Sequence, residues 1–170
     1  NLDLLENSIP VAPLKLAALP GSMEMAKKVD AYLVQFRKEL SERRNGVPFS
    51  GYSEDSFLID CECPRFGSGE AKGELTESVR GDDLYIMVDV CNYSITYSLA
   101  GKTNHMSPDD HFQNLKRIIA AIGGKGRRIN VIMPFLYESR QHKRSSRESL
   151  DCALALQELV RMGGENIITF

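Results

Sequence analysis

Apolar and polar positions follow two periods along this chain, and the switches between them mark out the elements. Leu14 to Leu19 is a short apolar run bounded by Pro13 and Pro20-Gly21, and it predicts a strand. The period then lengthens. Met25, Val29, Tyr32, Leu33 and Phe36 recur at helical spacing, so a helix capped by Ser22 is predicted to about Arg43, with Asn45-Gly46-Val47-Pro48 as its stop. The polar stretch 49–55 reads as loop. Strand spacing returns between Ser56 and Phe66, where Phe57, Ile59 and Cys61 alternate with polar or smaller neighbours. Gly67-Ser68-Gly69 is a turn, Ala71 to Val79 another strand, and Arg80-Gly81-Asp82-Asp83 a second turn. Leu84 to Val90 is nearly all apolar, as a strand buried on both faces must be. Residues 91–107 follow neither period.

Pro108 opens a helix that reaches Ile122, with Phe112, Leu115, Ile118 and Ile119 as its apolar stripe and Gly123-Gly124 as its stop. Ile129 to Phe135 is the next buried strand. Ser145 and Glu148 stand in the S-x-x-E spacing of a capping box, which predicts the start of a last helix. Its face carries Leu150, Ala153, Leu154, Gln157 and Val160, widened by Leu156 and Leu159. Gly163-Gly164 ends it, and Asn166 to Phe170 begins another strand. Buried strands alternating with amphipathic helices predict one α/β domain over residues 1–170. Its sheet should be doubly wound and mostly parallel, with helices on both faces and an antiparallel hairpin-like addition around 56–80. Such a sheet carries its working loops after the strand carboxyl ends, and the chain stops where the next one would follow. A truncated protein or one domain of two is the expectation.

Composition narrows the function classes. The chain has 170 residues, 42% apolar and 26% charged, as in an ordinary globular domain. Its net charge of −2 argues against a nucleic-acid binder that works by bulk electrostatics. No apolar run approaches the roughly 18 residues needed to span a membrane. The first residues lack the basic start and apolar middle of a secretory signal. Four cysteines stand at 61, 63, 91 and 152. Cys61 and Cys63 share one strand face, but no second pair has zinc-like spacing, so reduced core thiols in a cytoplasmic protein are expected and no metal site is assigned.

The strongest chemical signal is the basic loop after the strand 129–135. Arg140, Lys143, Arg144 and Arg147 lie there with His142 among them, at the kind of strand end where α/β proteins bind ligands. A planar guanidinium can bond two phosphate oxygens at once. With Ser145, Ser146 and Arg147 at the first turn of a helix, the free N–H groups there would favour an anion as well. A solvated basic loop is the plainer alternative. A second candidate is the turn Arg65 to Glu70, where Phe66 offers a stacking face and Glu70 an acceptor for an amino group, as a purine would need. An ordinary hairpin turn has the same pattern. In Glu77-Ser78-Val79-Arg80-Gly81 a hydroxyl and a guanidinium two residues apart could share an anion. His105 and His111 have no recognised metal spacing, and Asp109 and Asp110 fit helix capping. The G-x-x-x-x-G-K-S/T phosphate loop is absent from the sequence.

Taken in order, these pieces resemble the ribose-phosphate pyrophosphokinase (phosphoribosyl pyrophosphate synthetase) family. The resemblance rests on Arg65-Phe66 through Glu70, on Glu77-Ser78-Val79-Arg80-Gly81 with the strand Asp83–Val88, and on Arg127-Arg128-Ile129-Asn130-Val131-Ile132-Met133-Pro134. It continues through Tyr137 with Arg140-Gln141, Ser146-Arg147-Glu148, and Gly163-Gly164 to Ile167-Ile168-Thr169. It implies a phosphoribosyltransferase-like fold and the amino-terminal, ATP-contributing domain of an enzyme that transfers diphosphate from magnesium-ATP to ribose 5-phosphate. The catalytic half and the magnesium ligands would lie outside this chain, leaving it inactive alone. Phe66, Ser68, Glu70, Arg140 and Gln141 would then bind ATP, Phe66 by stacking on adenine. In the family that turn reaches a neighbouring subunit, which implies a homo-oligomer. Ser78, Arg80, Ser146 and Arg147 would form an allosteric anion site between subunits.

The sequence departs from the family pattern in places. Ser68 stands where aspartate or asparagine is usual, His142 where aspartate usually follows Arg-Gln, and Ser149 where proline is usual. The stretch from Arg140 to Glu148 is one residue short, and residues 91–111 do not align clearly. These departures motivate an alternative, a catalytically silent regulatory or assembly subunit related to the enzyme. A third reading, from another class, is a nucleic-acid module using Lys125, Arg127, Arg128 and the basic loop; it would bind with steep salt dependence.

Overall fold

The computed structural model describes residues 9–43, 51 and 53–170. The stop at Asn45-Gly46-Val47-Pro48 and much of the loop 49–55 lie outside the described residues. Strand β1 (Leu14–Ala18) leads through a 3-10 turn, Pro20–Ser22, into helix α1 (Met23–Arg43). Two short strands follow, β2 (Leu58–Ile59) and β3 (Cys61–Glu62), then β4 (Glu74–Leu75) and β5 (Asp83–Met87). The hairpin β6 (Thr96–Leu99) and β7 (Lys102–His105) precedes helix α2 (Pro108–Ile122). Strand β8 (Arg128–Ile132), helix α3 (Asp151–Arg161) and β9 (Gly164–Ile168) complete the order.

Five strands form one sheet in the order β2-β1-β5-β8-β9, and every pairing is parallel. Two faces follow from the alternation of side chains along the strands. Leu84, Ile86 and Val88 of the β5 segment join Ile129, Val131 and Met133 of the β8 segment in a core closed by α2 and α3. On the other face Leu16, Ala18 and Met87 pack against Ala26 of α1. This is the doubly wound arrangement expected from the sequence, and β3 pairs antiparallel with β4 as the hairpin-like addition.

A polar chain ties the amino-terminal ends of three neighbouring strands. Buried Asp83 accepts from Arg128 Nε at 2.8 Å and from Asn130 Nδ2 at 2.9 Å. Arg128 Nη2 bonds the other Asp83 oxygen, and Asn166 donates to Asn130 Oδ1 at 2.7 Å. Arg128 is therefore committed to a carboxylate, which counts against its use in a nucleic-acid surface.

Several elements differ from the periodic reading. The strand expected over 56–66 breaks at Asp60 into β2 and β3, because Leu58–Ile59 pairs with β1 while Cys61–Glu62 turns to β4. The strand expected over 71–79 shrinks to Glu74–Leu75. Met25 and Tyr32 of α1 are exposed, and the inward stripe includes Ala26, Asp30 and Leu40 instead. Asp30 faces inward because its carboxylate accepts the Ser56 hydroxyl and the Phe57 N–H, anchoring β2. Ser22 belongs to the 3-10 turn. The last helix starts at Asp151, not near Ser145. Ser145 does pair with Glu148, but its hydroxyl donates to the carboxylate. That bond closes a local turn without satisfying a helical N–H. The inward face of α3 is Cys152, Ala155 and Leu159, so Leu154 and Val160 point outward. A strand predicted from Asn166 runs instead over Gly164–Ile168.

Candidate functional site

Beyond the carboxyl ends of β5 and β8 lies a cavity of about 330 Å³, lined by Val90, Cys91, Pro108, Phe135, Tyr137, Glu138, Ser139 and Arg140. Its size is at the lower end of small-molecule sites. The chain leaves β8 through Pro134 and Phe135, then turns at Glu138, whose φ of 56° is left-handed, into a 3-10 turn over Ser139–Gln141. This bend brings Arg140 to the cavity wall. Tyr137 forms part of the wall by stacking on Phe112 with ring centroids 4.2 Å apart, while its hydroxyl donates to Asp109 Oδ1 at 2.7 Å. Burial, and next the Asp109 bond, push the Tyr137 phenol well above its ordinary value. The hydroxyl is the donor in the Asp109 bond.

Helix α2 begins beside this cavity. Ser107 and Asp110 form a full capping box: the Asp110 N–H donates to Ser107 Oγ at 3.2 Å, and the Ser107 N–H donates to Asp110 Oδ2 at 2.9 Å. The other Asp110 oxygen accepts from Arg65 Nη2 at 2.9 Å. Burial works against the Asp110 anion, yet the bonds from the Ser107 N–H, the Arg65 guanidinium and the Ser107 hydroxyl outweigh it and hold the carboxyl below its usual value. Consecutive carboxylates thus hold two loops. Asp109 holds the 135–141 loop through Tyr137, and Asp110 holds the 65–70 turn through Arg65.

The 65–70 turn is a closed hairpin end. The Phe66 N–H donates to the Glu70 carbonyl at 2.7 Å, and the Gly69 N–H to the Phe66 carbonyl at 2.9 Å. Phe66 remains 53% exposed with its ring available for stacking. Ser68 Oγ donates to Glu70 Oε2 at 2.8 Å, so these two polar groups engage each other. Gln141 Nε2 is bonded to the Ser149 carbonyl at 2.6 Å and braces the basic loop.

The structure treats the remaining candidates unevenly. Lys143, Arg144, Ser146 and Arg147 are exposed, and none of the three cations forms an ion pair among the described residues. Ser146 and Arg147 precede α3 by several residues, so the proposed reinforcement from a helix amino terminus is absent there. Ser78 caps its own turn by accepting the Arg80 N–H at 3.4 Å, before β5 starts. Within one chain, Ser78 and Arg80 sit at the amino end of the sheet, whereas Ser146 and Arg147 follow its carboxyl end. His111 is buried, with Nε2 2.7 Å from the Asn92 carbonyl, a structural bond. Among the described residues no three His, Cys, Asp or Glu side chains gather as a metal site. No helix among them is long and apolar enough to cross a membrane.

Sequence reading missed three participants: Asp109 and Asp110 as fasteners of the two loops, and the hairpin β6–β7. The alternation of Ile95, Tyr97 and Leu99 was the available signal for the hairpin. No local pattern signals the loop-fastening role of the aspartates, because their partners Tyr137 and Arg65 are distant in sequence.

Comparisons with known proteins agree on one family. A family model described as the N-terminal domain of ribose phosphate pyrophosphokinase matches residues 14–163. A ribose-phosphate pyrophosphokinase of Bacillus caldolyticus is 25% identical over 158 residues, covering 92% of this chain and 39% of the relative. Ribose-phosphate pyrophosphokinase 1 of Schizosaccharomyces pombe is 30% identical over 112 residues, covering 65% of this chain and 24% of that protein. The crystal structure of phosphoribosylpyrophosphate synthetase from Mycobacterium smegmatis superposes with a TM-score of 0.64 at 22% identity, over 92% of this chain and 41% of the other. The fold is therefore shared, and the chain spans about two fifths of the Bacillus relative it matches.

Proposed function

The chain belongs to the ribose phosphate pyrophosphokinase family through its N-terminal domain, and from this premise we propose that it supplies the ATP-binding half of a diphosphate-transferring enzyme. The full-length protein transfers diphosphate from magnesium-ATP to the 1-hydroxyl of ribose 5-phosphate. It works in the cytoplasm as a homo-oligomer. The observation that carries this reading is that α2 fastens two family-matched segments: Asp109 holds the Arg140 loop at this chain's cavity, and Asp110 holds the Phe66 turn, which would serve a neighbouring subunit's site.

Each group has a chemical role. Arg140, exposed at the cavity wall, binds ATP phosphate and stabilises the charge that spreads over the transferring diphosphate. Phe66 stacks on adenine. Ser68 and Glu70 meet the base edge once their mutual bond gives way to nucleotide. Gln141 holds the loop through Ser149 and reaches ribose or phosphate when that loop adjusts. Among the described residues that line the cavity, Glu138 is the one carboxylate, too little for a magnesium site. The ion would ride on the ATP phosphates and take its protein ligands from beyond these 170 residues. Ser78 and Arg80 can meet Ser146 and Arg147 only across subunits, and a regulatory anion would occupy that junction.

The silent-subunit alternative has one observation in its favour. Ser68, shorter than the aspartate or asparagine usual at its position, is bonded to Glu70. One experiment separates the two readings. The full-length protein is assayed with ribose 5-phosphate and magnesium-ATP, and AMP is expected in step with phosphoribosyl pyrophosphate. A normally assembled oligomer that makes no AMP would reject the enzyme reading in favour of the silent subunit.

A further inference from the structure

The connection between β5 and α2 folds into the hairpin β6–β7. Its inward positions, Tyr97 and Leu99, alternate with exposed Thr96 and Ser98. The Tyr97 ring lies against Arg65, with the guanidinium carbon 3.8 Å from the ring centroid. The same guanidinium bonds Asp110 at 2.9 Å and the Gly69 carbonyl at 2.8 Å, and the Arg65 side chain is only 12% exposed. Leu99 packs against Gly69, where φ is +91°, so closely that a Cβ there would stand 3.3 Å from Leu99 Cδ1. Arg65 is thus gripped on its flat face and its edges, and Gly69 is backed by a side chain from another hairpin.

We propose that the β6–β7 hairpin is a brace for the 65–70 turn, with Tyr97 and Asp110 as positioning residues that hold Phe66 ready for a nucleotide base. The proposal rests on the nucleotide reading of that turn and adds to it the device that fixes the turn before ligand arrives. A bare two-stranded turn would have to be ordered on binding, at a cost in affinity. A guanidinium clamped between an aromatic face and a carboxylate removes much of that cost. The effect therefore falls on the KM for ATP and not on kcat.

The test uses the full-length protein with Tyr97→Leu and Tyr97→Phe. Amide exchange at Phe66 and Gly69, whose N–H groups close the turn, reports its fixity. Tyr97→Leu is expected to speed exchange at those two amides about tenfold, leaving β5 amides unchanged, and to raise the KM for magnesium-ATP about tenfold with kcat within about twofold. Tyr97→Phe keeps the ring face and is expected to restore both. Unchanged exchange in Tyr97→Leu, or a Tyr97→Phe variant as loose as the leucine one, overturns the brace. Faster exchange with an unchanged KM leaves the brace standing and retires the nucleotide role of the turn. If Tyr97→Leu fails to fold, Leu99→Ala opens the Gly69 contact and is read in the same two measurements.

Discussion

The Tyr137 hydroxyl donates a 2.7 Å hydrogen bond to Asp109, the residue just before the aspartate that holds Arg65. One turn of helix thereby sets the spacing between an arginine-bearing loop and an aromatic-bearing turn. Helix α2 can do this because its start is strongly defined: Ser107 and Asp110 cap it reciprocally, and Pro108 occupies its first position. Tyr137→Phe removes the fastening while keeping the ring stack on Phe112. A loss of about 1 kcal/mol is expected in urea unfolding. An unchanged midpoint would mean that the ring stack alone holds the loop.

Acid should reveal the other fastening. The Asp110 carboxyl titrates below its ordinary value of 3.8 in the folded chain. The unfolded state therefore binds the proton first as pH falls. The stability Asp110 contributes is complete above the ordinary value and is lost as pH drops through the lower folded value. Asp110→Asn should be less stable than the parent at about pH 6, and the gap should narrow as pH falls below the ordinary value of 3.8. Denaturation midpoints across that range measure it; a constant gap would assign the loss to the capping geometry rather than to charge.

The buried polar chain gives a sharper stability test. Arg128→Met strips Asp83 of its two guanidinium bonds and leaves a carboxylate at 6% exposure with Asn130 as its remaining side-chain partner. A loss of about 3 kcal/mol is expected in urea unfolding. A nearly neutral result would show that water reaches Asp83 when the arginine is removed.

Cysteine labelling reads the cavity directly. Burial, with nearby Cys63 and Asp60 adding to it, pushes the Cys61 thiol up to about 12, and burial pushes Cys63 to about 11. Cys91 is exposed and lines the cavity. Iodoacetamide at about pH 8 should therefore modify Cys91 first, with Cys61 protected until unfolding. On the proposed function, magnesium-ATP slows Cys91 labelling. Labelling of Cys61 at the Cys91 rate would contradict the packing of β3.

Gly73 marks a backbone contact that tolerates no side chain. A Cβ there would lie 2.5 Å from the Arg117 carbonyl oxygen on α2. Gly73→Ala should force the β4 segment away from α2 and cost about 1–3 kcal/mol by thermal or chemical unfolding. A variant as stable as the parent would show that this segment shifts freely.

What was legible in the sequence was whatever one turn of chain decides for itself. Helix α2 runs over Pro108–Ile122 as its stripe and its Gly123 stop predict, because cap, periodicity and left-handed glycine all act within a few residues. The central strands were legible for a similar reason, since an unbroken apolar run must be buried on both faces. Family-matched residues such as Phe66 and Arg140 were also legible, and they do lie on loops of the expected kind. Local grammar failed where a distant partner competes. Ser145 and Glu148 have capping-box spacing, but their bond closes a turn and α3 begins later. Asp30 turns inward on α1 because β2 supplies Ser56 and Phe57 to meet it. Tyr97, Asp110 and Arg65 come from three separate stretches, the hairpin β6–β7, the start of α2 and the turn after β3, and only the folded chain brings them together. Hydrogen-bond and packing energies between such groups depend on angstrom-scale proximity, and that proximity is a property of the folded chain.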